Sequence, residues 1–199
     1  NQGLKSTRCI AFNSEGQLLA QAALPIKTMV NNERVEQDPM DWYTLAWQVI
    51  RDVVQQLGKQ VKDVRYLTVT TSASCLVTLD NHGDAIGNSI LVSDTRAERE
   101  ARHLENTIEY QQILSISGLK SSPDLMLPKI MWLRKHEPSR FSQTARFLNA
   151  GDFLVAKLSG EYVTDPNNAL KFHYVIDNKA YPCKLLESLG IDPQSLPHV

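Results

Sequence analysis

The chain has 199 residues, 42% of them hydrophobic and 22% charged, with a net charge of −1 at neutral pH. That balance suits a globular domain with a core of its own, and it lacks the clustered basic excess of a nucleic-acid binder. No apolar run nears the roughly 20 residues that cross a bilayer, so neither nucleic acid nor membrane is expected as a partner.

Three widely spaced cysteines, Cys9, Cys75 and Cys183, make neither a disulfide framework nor a zinc cluster. A reducing cytoplasm is the expected setting, and no signal peptide is visible. The chain opens at Asn1-Gln2-Gly3, which reads as the middle of a loop with no strand before it.

Thr7 to Phe12 reads as a strand, Asn13 to Gln17 as a polar turn, and Leu18 to Ala23 as the returning strand of a hairpin. Ile26 to Val30 is expected to add a third antiparallel strand, followed by a polar connection over Asn31 to Asp38. Asp38-Pro39 is a helix start, an Asp cap with Pro in the first position. Trp42, Leu45, Ala46, Val49, Ile50, Val53, Val54 and Leu57 then recur at helical spacing up to Gly58.

Tyr66 to Thr71, Cys75 to Leu79 and Ile90 to Val92 read as strands, with Ser72-Ala73-Ser74 as a bend and Asp80-Asn81-His82-Gly83 as a turn. Helices are expected from Thr95 to Leu104, within Gln111 to Arg140, from Asp152 to Ser159 and from Lys184 to Leu189. Ser122-Pro123-Asp124 opens one of them, and Arg146 to Asn149 is a short strand. The pattern is α/β: an antiparallel start, then alternating strand and helix.

Chemistry has three candidate locations. The stretch Asn1, Gly3, Ser6, Thr7, Arg8 can turn backbone N–H groups, hydroxyls and a guanidinium toward a phosphate, or be an ordinary hairpin turn. Ser72, Ala73 and Ser74 lie between two strands, where small hydroxyl residues can hydrogen-bond a polyol or simply turn the chain. Asp94 ends an apolar strand, where α/β proteins place ligands, and can equally cap the helix after it. Arg96 reads as a surface helix residue. Asp124 and Asp165 stand at other element junctions, where first-turn placement or capping also accounts for them. The five histidines lack ligand spacing.

The ordered segments resemble the FGGY carbohydrate kinases, the family of glycerol kinase, xylulokinase and ribulokinase. Asn1 to Arg8 is similar to that family's opening phosphate loop. Val35-Glu36-Gln37-Asp38-Pro39 is similar to its V-E-x-D-P motif, and Asn88 to Arg96 to its N-A-I-x-W-x-D-x-R. Ser117-Gly118-Leu119 with Lys129 to Leu133 resembles T-G-L … K-x-x-W-L. Asp152-Phe153-Leu154 with Thr164 to Ala169 resembles D-x-L … T-D-x-x-N-A.

The resemblance implies a ribonuclease-H-like, actin/hexokinase-type domain: a mixed β-sheet flanked by helices that binds the sugar. Residues 1–199 would be most of the N-terminal domain, lacking its first strand and its C-terminal end. ATP and Mg²⁺ would be held mainly by a second domain, absent here. The reaction implied is phosphoryl transfer from ATP to a hydroxyl of a small-molecule sugar or polyol. The general-base Asp is expected beyond Val199, so no catalytic residue lies in this stretch, which alone is expected to be inactive.

The resemblance further implies phosphate contacts at Asn1, Gly3, Ser6, Thr7 and Arg8, and substrate contacts at Ser72, Ala73, Ser74, Asp94 and Asp124. It leaves a homodimer open. Two departures bear on it. The family's opening Asp, which helps hold Mg²⁺, is Asn1, so a metal role there stays open. Its next hydroxyl is Leu4. Glycerol kinases carry Arg-Glu and xylulokinases Met-His where this chain has Ala73-Ser74, and glycerol kinases carry Tyr at Asp124. A ketose or larger polyol, xylulose- or ribulose-like, is therefore expected over glycerol. A non-catalytic sugar-binding or interaction domain of the same family is the second reading.

Overall fold

The computed structural model describes all 199 residues. Strands β1 (Ser6–Phe12) and β2 (Leu18–Pro25) form the expected hairpin, in antiparallel register with Cys9 opposite Ala22. Its turn is built by Asn13, whose side chain accepts from Glu15 N and Gln17 N, with Gly16 at φ 77°.

The third strand departs from expectation. β3 (Met29–Asn31) does not extend the hairpin; it pairs with β4 (Arg34–Gln37), which lies inside the stretch read as a polar connection. Pro25 closes β2 and brings no N–H for a further rung. Asn32, at φ 52°, turns β3 back onto β4.

Helix α1 (Pro39–Leu57) begins where the Asp38–Pro39 signal places it. Asp38 accepts from Met40 N at 2.8 Å, and Gly58 ends the helix at φ 55°. Trp42, Val49, Val53 and Leu57 are buried against the sheet, and Val54 is exposed. Val53 and Leu57 pack with Ala20 on the inner face of the hairpin.

The stretch from Tyr66 to Thr71 is not a paired strand. It meets the sheet only where Gln2 bridges Thr71, and Tyr66 is 93% exposed. β-Branched composition favours a strand only where a neighbour supplies hydrogen bonds along its length, and here Gln2 alone supplies them, although Val69 packs on the core.

β5 (Val77–Leu79) pairs antiparallel with β7 (Arg146–Leu148), and β6 (Ser89–Ile90) pairs with β4. The strands thus form four antiparallel ladders in three small sheets, and single bridges, Leu76 to Ile90 and Gln2 to Thr71, stitch them together. β5 is buried on both faces, as interior strands are. Cys75, Val77 and Leu79 face Trp42 and Phe153, whereas Leu76 joins the second core around Ile130 and Leu133.

The helical half comprises α2 (Glu98–Glu105), α3 (Ile108–Ser117), α4 (Met126–His136), α5 (Pro138–Gln143), α6 (Ala150–Ser159), α7 (Pro166–Ala169) and α8 (Cys183–Ser188). α4 starts two residues past Asp124 and packs on α2 and α5. Asp165 caps α7 by accepting from Asn167 N and Asn168 N, its expected structural role.

Candidate functional site

The opening loop is closed on itself. The Asn1 amino group donates to Arg8 O at 2.7 Å, Arg8 N to Asn1 O at 2.8 Å, and Gly3 N to Ser6 O at 3.0 Å. Gly3 has no positive φ to explain it. A Cβ there would stand 3.4 Å from Ser6 O, 3.7 Å from Asn1 Oδ1 and 3.8 Å from Arg8 Nη2, all ordinary contact distances, so the fold does not demand glycine here. The Arg8 guanidinium beside it is the group of this loop that can meet a phosphate.

Thr7 is placed otherwise than expected. It is buried, and its hydroxyl donates inward to Gln2 Oε1, so it is not offered to a phosphate. Ser6 is half-buried and Arg8 exposed.

Gln2 joins the first loop to the second. It is buried; its N–H donates to Thr70 O at 2.8 Å and its carbonyl accepts from Ser72 N at 3.1 Å. The phosphate-loop and polyol-loop candidates are thereby adjacent. Gln2 lies in the stretch likened to the phosphate loop, but its pairing with residues 70–72 is long-range and has no local signal.

Within the second loop Ser72 and Ala73 are half-buried. Ser74 is buried and left-handed, φ 59°, which is uncommon for a residue other than glycine. Beneath it lies Lys129 of α4, fully buried, whose ammonium donates to Ser74 O at 2.6 Å, Leu91 O at 2.9 Å and Asp124 O at 3.1 Å. Burial pushes this lysine down to about 8, against the opposing pull of Cys75, Asp94 and Asp124.

Asp94 does not cap α2, whose first turn carries no side-chain cap. It accepts from Val35 N at 2.6 Å, from Arg96 N at 3.1 Å, and from the Arg96 guanidinium at 2.9 and 2.7 Å. Arg96 is not a surface residue. Its side chain is 1% exposed, bonds Glu36 at 2.5 Å and lies 4.9 Å over the Trp132 ring. Burial pulls its pKa down, but Asp94 and Glu36 outweigh that and hold it above its ordinary value. The Asp-x-Arg spacing was the available signal: a forked donor two residues from a carboxylate can close a bidentate pair.

Asp124 is half-buried and accepts from the Ser122 hydroxyl. No three acidic, histidine or cysteine side chains converge anywhere in the chain. A hard cation wants carboxylate oxygens, and Asn1 offers only a neutral carboxamide. The residues present do not fit a resident Mg²⁺.

All of residues 1–199 match the N-terminal domain of the FGGY family of carbohydrate kinases. The chain is 23% identical over 199 residues to xylulose kinase from Staphylococcus xylosus, covering 99% of this chain and 41% of that protein. It is 30% identical over 173 residues to autoinducer-2 kinase from Klebsiella pneumoniae subsp. pneumoniae, covering 84% and 32%. Xylulose kinase from Rhodospirillum rubrum superposes with a TM-score of 0.90 at 26% identity, over 98% of this chain and 40% of that one. The chain spans about a third to two fifths of the length of these relatives.

Proposed function

Because the chain belongs to the FGGY family of carbohydrate kinases, we propose that it is the sugar-binding domain of an ATP-dependent kinase acting on a ketose or polyol, xylulose- or ribulose-like rather than glycerol. The observation that carries this reading is the match of the whole chain to that family's N-terminal domain. Similar proteins named xylulose kinases support the substrate class. Ala73-Ser74 and Asp124 speak against glycerol, and because Ala73-Ser74 also differs from the xylulokinase Met-His, the pocket is that of a ketose or polyol bound differently.

In this reading the Arg8 guanidinium beside Gly3 receives phosphate oxygens. The Ser72–Ser74 loop, one strand bridge away through Gln2, holds the sugar. That adjacency brings hydroxyl and phosphate to neighbouring positions, which phosphoryl transfer needs more than it needs covalent help. ATP, when bound, supplies the γ-phosphoryl group.

Asp94 is not free to take the hydroxyl proton, because Arg96 and Val35 N engage both its oxygens; Asp124 receives Ser122 on one oxygen. The general base comes from outside these residues, and residues 1–199 alone do not phosphorylate sugar.

The test is ADP release by the complete protein over D-xylulose, D-ribulose, glycerol and autoinducer-2, the last because one relative is named for it. Turnover is expected on a ketose above glycerol. Turnover on glycerol alone, or none from a folded protein, would overturn the reading.

A further inference from the structure

Lys129 presents an unusual arrangement. It lies on α4, fully buried, without a carboxylate in salt-bridge contact, and its ammonium spends its three N–H donors on three main-chain carbonyls. Those carbonyls belong to three segments far apart in sequence: the Ser72–Ser74 loop, the strand end that leads to Asp94, and the turn that holds Asp124. Each carries a candidate sugar-binding residue.

Burying an ammonium is costly even when it is hydrogen-bonded. A methionine would fill the same space but leave three carbonyls without this donor, so the ammonium serves those carbonyls and not packing alone. What only the charge can do is draw three carbonyl oxygens to one point.

The backbone at Ser74 is a second, independent sign. A non-glycine residue in the left-handed region persists where its surroundings over-determine it, and such residues cluster at functional sites. Ser74 is such a residue, and its carbonyl makes the shortest of the three Lys129 contacts.

We propose that Lys129 is the positioning residue of the sugar site: it does not touch the sugar, but its ammonium sets the left-handed turn at Ser74 and the spacing of that loop from the Asp94 and Asp124 segments. This rests on the reading of those segments as sugar-binding.

A titration separates this role from simple packing. Burial lowers Lys129 to about 8, so the tie loosens on the alkaline side of neutrality. The groups that face the ammonium are the Cys75 thiol, itself pushed up by burial, the Asp94 and Asp124 carboxylates, and Arg96. If only the tied form binds sugar, apparent affinity falls in proportion to the charged fraction, about ten-fold by pH 9.

The experiment uses the complete kinase and K129M, with K129Q as the second variant should K129M not fold. KM for the sugar, KM for ATP and kcat are measured from pH 7 to 9.5. The wild type is expected to lose sugar affinity about ten-fold by pH 9 while KM for ATP moves less than two-fold. The variant is expected to show the raised sugar KM already at pH 7 and no further rise. A variant with wild-type sugar KM, or one that keeps the alkaline rise, overturns the role of Lys129 while the kinase reading stands. A wild type inactive on every sugar overturns both.

Discussion

Two buried groups pull the pH dependence of stability in opposite directions, and removing one should unmask the other. His173 is fully buried, and desolvation pushes it down to about 4 from an ordinary 6.5. Its only polar partner is the Tyr110 hydroxyl, 3.2 Å from Nε2; that hydroxyl donates to Leu119 O, and Nδ1 has no partner. Between about pH 6.5 and 4 the unfolded chain therefore holds more protons at this site, and stability falls as pH falls. At about 1.4 kcal/mol per pH unit the window amounts to about 3 kcal/mol. Asp152 behaves inversely. Burial raises it to about 6 from 3.8, although Asn149 N donates to it at 3.0 Å. Between about pH 3.8 and 6 the folded chain holds the extra proton, so stability falls as pH rises, again by about 3 kcal/mol. The two slopes nearly cancel from pH 4 to 6. Asp152→Asn removes one of them. Urea midpoints followed by tryptophan fluorescence, converted with a common m-value, should show the variant losing about 3 kcal/mol relative to wild type between pH 6 and 4. Asp152→Asn and wild-type profiles that run parallel would refute the reasoning.

Other outcomes follow from the same contacts. Asp94→Asn leaves the buried Arg96 guanidinium with Glu36 as its one carboxylate partner and should cost about 3 kcal/mol in urea unfolding; a loss under about 1 kcal/mol would mean the pair is not desolvated. Gly83 sits at φ 80°, and a Cβ there would stand 2.8 Å from Tyr162 Oη. Gly83→Ala should therefore lower the melting temperature, and adding Tyr162→Phe should recover part of the loss. Arg8→Ala should raise the KM for ATP about ten-fold, the equivalent of one charge-assisted hydrogen bond, with an unchanged melting temperature because the side chain is exposed.

Local signals carried much of the architecture. The Asp38–Pro39 start, the Gly58 stop and the Asn13–Gln17 turn each act within a few residues, and each is where the sequence places it. The failures are non-local. Residues 66–71 have strand composition, but a strand exists only where a neighbour completes its ladder, and only Gln2 does so. β4 hides in a polar stretch because its partners, β3 and β6, lie on either side of it in sequence and one of them is more than fifty residues away.

The site divides in the same manner. The opening loop and the Ser72–Ser74 bend were visible as residue types, and Gln2 brings them together. Burial was not visible. Arg96 reads as a surface charge, Asp94 as a ligand or a cap and Thr7 as an open hydroxyl, because only the packed chain shows that Trp132, Val35 and Gln2 claim them. Lys129 was legible only as one letter of a family motif; two of its three carbonyl partners, Ser74 and Leu91, are far away in sequence.

The most direct test is hydrogen exchange of the complete protein with and without saturating D-xylulose. The account predicts slowed exchange in peptides covering residues 71–76 and 119–125, the segments that Lys129 ties together. D-Xylulose turnover with unchanged exchange in both segments, and protection confined to other parts of the protein, would contradict it.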